Sequence, residues 1–190
     1  MASDESIVPG MYPLHTAVAE ALRGEFGEQF GSFWAEECGG DVKNGLFCSE
    51  AKGAGARFVM PDILFLLHEE IKVLIEVEED GKAASPTHLF GKWCAAAMSR
   101  CFIHERKGNR PIPFHRNATL VQVCDTTAVL KQSRTSKLQQ WLNIETSIRA
   151  SLPFGSITYY RLLWGNIYDF GYHGTKREWL VDTVSEALNR

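Results

Sequence analysis

Two apolar runs, residues 60–67 and 71–80, are separated only by the polar triplet His68-Glu69-Glu70. Val, Ile, Leu and Phe dominate both, which predicts a pair of buried strands joined by a tight turn. Upstream, Leu14, Val18, Ala21, Leu22 and Phe26 recur at helical spacing and predict a helix over 14–30, its far end weakened by Gly24 and Gly27. Phe30, Phe33 and Trp34 read as core or interface aromatics. Residues 45–49 and 57–59 read as short strands. Ser85-Pro86 is a helix-start signal, Ser85 as N-cap and Pro86 in the first turn, and the stripe Leu89, Trp93, Ala96, Ala97 and Phe102 carries that helix to about residue 102.

After a charged, Pro-containing stretch at 104–116, read as a loop, residues 118–124 predict a strand, 136–151 a helix and 156–164 another strand. The segment 165–174, with Tyr168, Phe170 and Tyr172, reads as an aromatic loop that packs as a lid. Thr175 is the expected N-cap of a closing helix over 175–188, with Glu178 completing a capping box. The order helix, strand, hairpin, helix, strand, helix, strand, helix predicts an α/β domain, a mixed sheet flanked by helices. One domain of 190 residues is expected, with residues 1–12 as a loose N-terminal tail.

Composition changes this picture little. At 45% hydrophobic and 23% charged the chain is ordinary for a globular domain. No apolar run reaches the length of a membrane span, and the polar start lacks the pattern of a signal peptide, so no membrane partner and a cytoplasmic location are expected. The net charge of −3 argues against a generally basic nucleic-acid coat but leaves room for a local basic groove. Candidates for such a groove are Lys52 and Arg57; Arg106, Lys107, Arg110 and Arg116; and Lys131, Arg134 and Lys137. Five cysteines without a CxxC spacing are expected to be buried free thiols, with Cys94 and Cys101 on one helical face. Gly53-Ala54-Gly55-Ala56 lacks the Gly-Lys-Ser/Thr ending of a phosphate-binding P-loop.

The chemistry concentrates in the hairpin. Glu76 and Glu78 share one face of the second strand because side chains alternate. A three-residue turn over 68–70 sets Asp62 opposite Glu76 and brings all three acids to that face; a two-residue turn shifts the pairing by one and spoils the arrangement. Three converging carboxylates need a cation or a shared proton, and hard divalent ions such as Mg²⁺ or Mn²⁺ suit them. Glu79 and Asp80, next to Gly81, read as solvated.

Pro61-Asp62 followed by Glu76-Val77-Glu78 resembles the motif of the PD-(D/E)XK nuclease superfamily. The resemblance implies Asp62 and Glu76 as metal ligands, with the Val77 backbone carbonyl as a third. It departs at Glu78, where the family usually has Lys; a minority of restriction enzymes carry Glu there. Some members place the lysine on the following helix, a part that Lys92 fits, with His88 one turn earlier. A first-helix acid that points to the metal in many members would be Glu20. The resemblance covers about residues 14–124 and implies a restriction endonuclease-like fold with C-terminal helix and strand additions over 125–190. It implies a Mg²⁺-dependent endonuclease that hydrolyses phosphodiester bonds of DNA, double-stranded DNA being the expected partner and a homodimer plausible. The alternatives are a catalytically idle module of this fold that serves nucleic-acid binding or protein assembly, and an α/β domain with a chance motif.

Overall fold

The computed structural model describes residues 12–27, 29–40, 43, 45–50, 53–79, 84–104, 110–129 and 133–190. The tail expected over 1–12 lies outside these except for Tyr12, as do Lys52, Asp80, Gly81, Arg106, Lys107 and Lys131. In chain order the elements are α1 (Pro13–Phe26), β1 (Gly31–Trp34), β2 (Leu46–Phe47), β3 (Arg57–Val59), β4 (Ile63–Leu67), β5 (Glu70–Glu78), α2 (Pro86–Met98), β6 (Cys101–Ile103), β7 (Pro111–Asp125), α3 (Arg134–Ala150), β8 (Tyr159–Gly165), α4 (Ile167–Phe170) and α5 (Arg177–Asn189).

The strands form one mixed sheet in the order β1-β4-β5-β7-β6-β2-β3, with β8 also paired to β7. β1, β4 and β5 run antiparallel to their neighbours in turn, whereas β5, β7 and β8 are parallel. Helices cover both faces, which is why the central strands are continuously apolar rather than alternating. Ile63, Phe65, Val73, Ile75, Val77, Val121, Val123 and Leu163 pack on one face with the buried stripes of α1 and α5. Leu64, Leu74, Leu120 and Leu162 pack on the other with Leu89, Trp93 and Ala96 of α2 and Trp141, Ile144 and Ile148 of α3. The α/β expectation is therefore met. No helix among the described residues is long and apolar enough to cross a membrane.

Several local readings are corrected. The helix over 85–102 starts as expected, with the Ser85 side chain accepting the His88 N–H and Pro86 in the first turn, but α2 stops at Met98. The chain is diverted into β6, which pairs with both β2 and β7, so Cys101 sits on a strand and not on a helical face with Cys94. The loop expected over 104–116 becomes strand from Pro111. Pairing of β7 with β5 begins only at Phe114, so one edge at Pro111 and Pro113 has no β5 residue beside it, a position that tolerates proline's missing N–H.

The closing helix starts at Arg177, with Lys176 as N-cap and no side-chain cap, not at Thr175. Lys176 is instead tied to the preceding turn, its N–H donating to the Asp169 carbonyl and its ammonium to the Trp164 carbonyl. The aromatic loop contains the short helix α4, in which Phe170 is buried, while Tyr168 and Tyr172 are exposed. Residues beyond 124 are not additions to a finished core: β8 lies in the same sheet and α5 completes one of its two covering layers.

Candidate functional site

The β4–β5 turn has two residues, not three. Leu67 pairs with Glu70, and both intervening residues have positive φ, 51° at His68 and 64° at Glu69. Such a turn alone would have moved Asp62 away from Glu76. A bulge restores the arrangement: Leu66 pairs with Ile71 but Phe65 pairs with Val73, so Lys72 is the extra residue. From Ile63 paired with Ile75 the ladder leads to Asp62 beside Glu76, and the Asp62 N–H donates to the Ile75 carbonyl at 3.0 Å. Asp62 is thus set beside Glu76 along the ladder, by a different route from the one expected.

On the even-numbered face of β5, Glu76 and Glu78 meet α2. Residues 88 and 92 are one helical turn apart, so His88 and Lys92 project from the same side of α2. The Lys92 ammonium lies 2.7 Å from Glu76 Oε2 and 3.1 Å from Glu78 Oε1, and His88 Nε2 lies 2.6 Å from Glu78 Oε2. Glu76 is 1% exposed, and its Oε1 has no hydrogen-bond partner among the described residues. Asp62 turns over the strand edge, where its Oδ2 accepts the Val77 N–H at 2.7 Å. The N–H and C=O of one strand residue point the same way, so the Val77 carbonyl faces that edge too.

A third layer of the site comes from α1. This helix has no local side-chain N-cap; the Glu79 carboxylate accepts the Leu14 N–H at 2.8 Å and the His15 N–H at 3.0 Å. The same carboxylate holds His15 Nδ1 at 2.9 Å and leaves Nε2 facing Asp62 Oδ2 at 3.6 Å. Glu79 is thus a half-buried cap and not the solvated residue expected. His15, which sequence reading passed over, is the first-helix residue that reaches the acids, whereas Glu20 is exposed. The available signal was position: His15, Ala19 and Leu22 share one buried stripe. Gln122, which pairs in register with Glu76 and is buried with its Oε1 accepting the Tyr160 hydroxyl at 2.6 Å, was also missed.

The cluster holds more negative than positive charge away from water, which favours the protonated forms of Glu76, Asp62 and Lys92. Burial, reinforced by the other acids, pushes Glu76 well above the ordinary carboxylate range, even against Lys92. Burial also raises Asp62, partly offset by His15 and the Val77 N–H. For Lys92, burial opposes the charge, but Glu76, Glu78 and Asp62 outweigh it and hold the ammonium above its ordinary value. Burial works against the Glu79 anion, yet the His15 and Leu14 donors carry it below the usual range.

Beside Asp62 lies a recess of about 180 Å³ bordered by Glu36, Glu37 and Lys43, room for an ion with its waters or a phosphoryl group. The candidate cations divide between the two ends of the sheet. Arg134 and Lys137 start α3, and the Lys137 charge acts on Cys124, the register partner of Glu78. Arg110 is paired with Glu69 at the hairpin turn, and the Arg116 charge acts on Lys72 near the start of β5, both at the end remote from the acids. Arg57 is exposed on β3.

Hard carboxylate oxygens with one imidazole form a donor set suited to Mg²⁺ or Mn²⁺, and the unpartnered Glu76 oxygen leaves a lone pair for a cation. Among the described residues, however, no three His, Cys, Asp or Glu side chains are drawn together closely enough to hold a metal ion as they stand. Comparison with known proteins found no matching family model, no matching curated protein and no matching solved structure.

Proposed function

We propose that the chain is a metal-dependent phosphodiesterase acting on DNA, with a restriction endonuclease-like fold. The observation that carries this reading is that Glu76 and Glu78 share one buried face of β5 with Lys92 supplied by the next helix, Asp62 stands beside Glu76 at the strand edge, and one Glu76 oxygen is left unpartnered. Asp62 and Glu76 would hold Mg²⁺ or Mn²⁺, with the Val77 carbonyl as a further donor, and the chemistry such an ion would supply there is a lowered pKa for a water and neutralisation of phosphate charge. His15, fixed through Nδ1 by Glu79, positions the Asp62 carboxylate. Lys92 places a positive charge where the phosphate oxygens gain electron density. Glu78, held by Lys92 and His88, accepts the proton of the attacking water. Arg134 and Lys137, at the start of α3, contact the DNA backbone.

A second reading, an idle module of the same fold that binds nucleic acid or assembles with protein, is favoured by one observation. Lys92 already serves as counterion to Glu76, and no metal-sized trio stands ready among the described residues. Titration calorimetry with Mn²⁺ and then Mg²⁺, with and without duplex DNA, separates the two. Catalysis requires metal binding that vanishes in Asp62→Ala and duplex cleavage reduced by at least about 100-fold in Glu76→Ala. Undiminished metal-dependent cleavage by Glu76→Ala rules out the site assignment, and absence of metal binding even with duplex present selects the idle module.

A further inference from the structure

At the opposite end of the parallel strands, a cavity of about 620 Å³ opens between the end of α3, the start of β8 and the end of α5. Arg149, Arg161 and Arg190 line it, with Asn117, Thr158 and Tyr159. Tyr159 pairs with Thr119, whereas Trp164 pairs with Cys124, the partner of Glu78. Five strand residues, roughly 17 Å, therefore separate the cavity from the level of the acids.

The charge here is poorly compensated for a chain of net charge −3. Among the described residues Arg149 has no ion-pair partner, Arg161 lies 3.9 Å from Glu145, and Arg190 lies 3.3 Å from Glu186. The last turn of α3 favours one cation through its carbonyl ends, which accounts for Arg149 but not for all three arginines. Behind the cavity, Lys72 is fully buried in the β5 bulge, its Nζ 3.3 Å from His115 Nδ1, an atom that also accepts the Asn117 N–H at 3.0 Å. Burial, with Arg116 and Arg190, holds the Lys72 ammonium below its ordinary value, while Glu70 is the nearby acid that acts on His115.

Guanidinium groups present planar paired donors that match phosphate oxygens, and three around one cavity suit an anion carrying two or more charges. The volume falls in the range of small-molecule sites, and the Tyr159 ring, with the Arg190 guanidinium 4.6 Å from its centroid, borders it with an aromatic face. A pocket of small-molecule volume, partly open to solvent and bounded by the end of α3, the start of β8 and the end of α5, fits a free ligand better than the length of a duplex. We infer that this cavity binds a phosphate ester of nucleotide size, its diphosphate held by Arg149, Arg161 and Arg190, at a site separate from the acidic cluster.

Titration calorimetry at physiological salt with pyrophosphate and then ADP tests this without reference to cleavage. The expected result is saturable binding of one ligand per chain at or below about 1 mM. Arg149→Gln and Arg161→Gln should each weaken binding at least about tenfold, whereas Arg100→Ala, on the exposed segment after α2, should leave it unchanged. Arg149 is exposed, so its variant is expected to keep the wild-type melting temperature, which confirms that lost binding is not lost folding. No saturation with either probe, affinity indifferent to both arginine variants, or displacement of ADP by a short duplex would each overturn the assignment.

Discussion

At the scale of single residues, the cluster turns on Glu76, a carboxylate with almost no solvent contact and three charged neighbours. An acid whose folded-state pKa is raised binds its proton more tightly in the native than in the unfolded chain, so stability falls as pH climbs from the unfolded value through the folded one. Burial pushes Glu76 up to about 8, and the window therefore runs from the ordinary carboxylate range to mildly alkaline pH. Glu76→Gln removes the titration and keeps the shape. In chelator, its stability relative to the wild type should increase between pH 5 and pH 8, read from urea midpoints across that range; parallel curves would contradict the raised pKa. Asp62 and Glu76 were legible from residue type and alternation. The partnership of His15 with Glu79 was not, because it joins residues 64 apart in sequence that only the docking of α1 against the end of β5 brings together.

At the scale of elements, the hairpin shows two local choices correcting each other. A two-residue turn with both φ positive is the favoured way to join twisted antiparallel strands, but it normally draws Asn-Gly rather than His68-Glu69. Replacing the pair by Asn-Gly removes left-handed strain and should raise stability by about 1 kcal/mol, seen as a higher urea midpoint at unchanged m-value. The lost Arg110–Glu69 pair is exposed on both sides and contributes little. A lower midpoint would mean that His68 and Glu69 make contacts that outweigh their backbone strain. Loop length could not be read from an apolar–polar pattern here, since the bulge at Lys72 absorbs one residue without disturbing the pattern on either side. The ends of α2 and α5 escaped for a related reason. Ser99 is followed by backbone claimed by neighbouring strands, and Lys176 is fixed by Trp164 and Asp169, so tertiary partners overrode the local stop and start signals.

For the whole molecule, the parallel unit β7-α3-β8 and the covering helix α5 make the C-terminal third part of the fold's single sandwich. Leu180, Val184, Ala187 and Leu188 cover the same sheet face as α1, and Trp141 is fully buried on the other, its indole N–H bonded to the Ala84 carbonyl at 3.1 Å. A chain ending at Asp125 would leave both faces of β5 and β7 partly bare and should show no cooperative unfolding transition. In the full chain Trp141→Ala should cost about 3–5 kcal/mol. A truncated chain that melts cooperatively would show that α3, β8 and α5 are dispensable additions. The charges are divided at this scale as well. Asp62, Glu76 and Glu78 gather at one end of the sheet, and Arg149, Arg161 and Arg190 line the cavity at the opposite end.

The sequence by itself determined the α/β class, the central hairpin, the shared face of Glu76 and Glu78, the start of α2 and the helical spacing that aims His88 and Lys92 at one side. Each of these follows from short-range periodicity, capping chemistry or strand alternation, which need no knowledge of distant segments. Only the tertiary structure decided the bulge at Lys72, the capping of α1 by Glu79, the arrival of His15 beside Asp62, the place of β8 and α5 in the core and the arginine-lined cavity. These depend on which remote segments share a hydrogen bond or a buried face, and that is settled by packing of the whole chain rather than by any window of it.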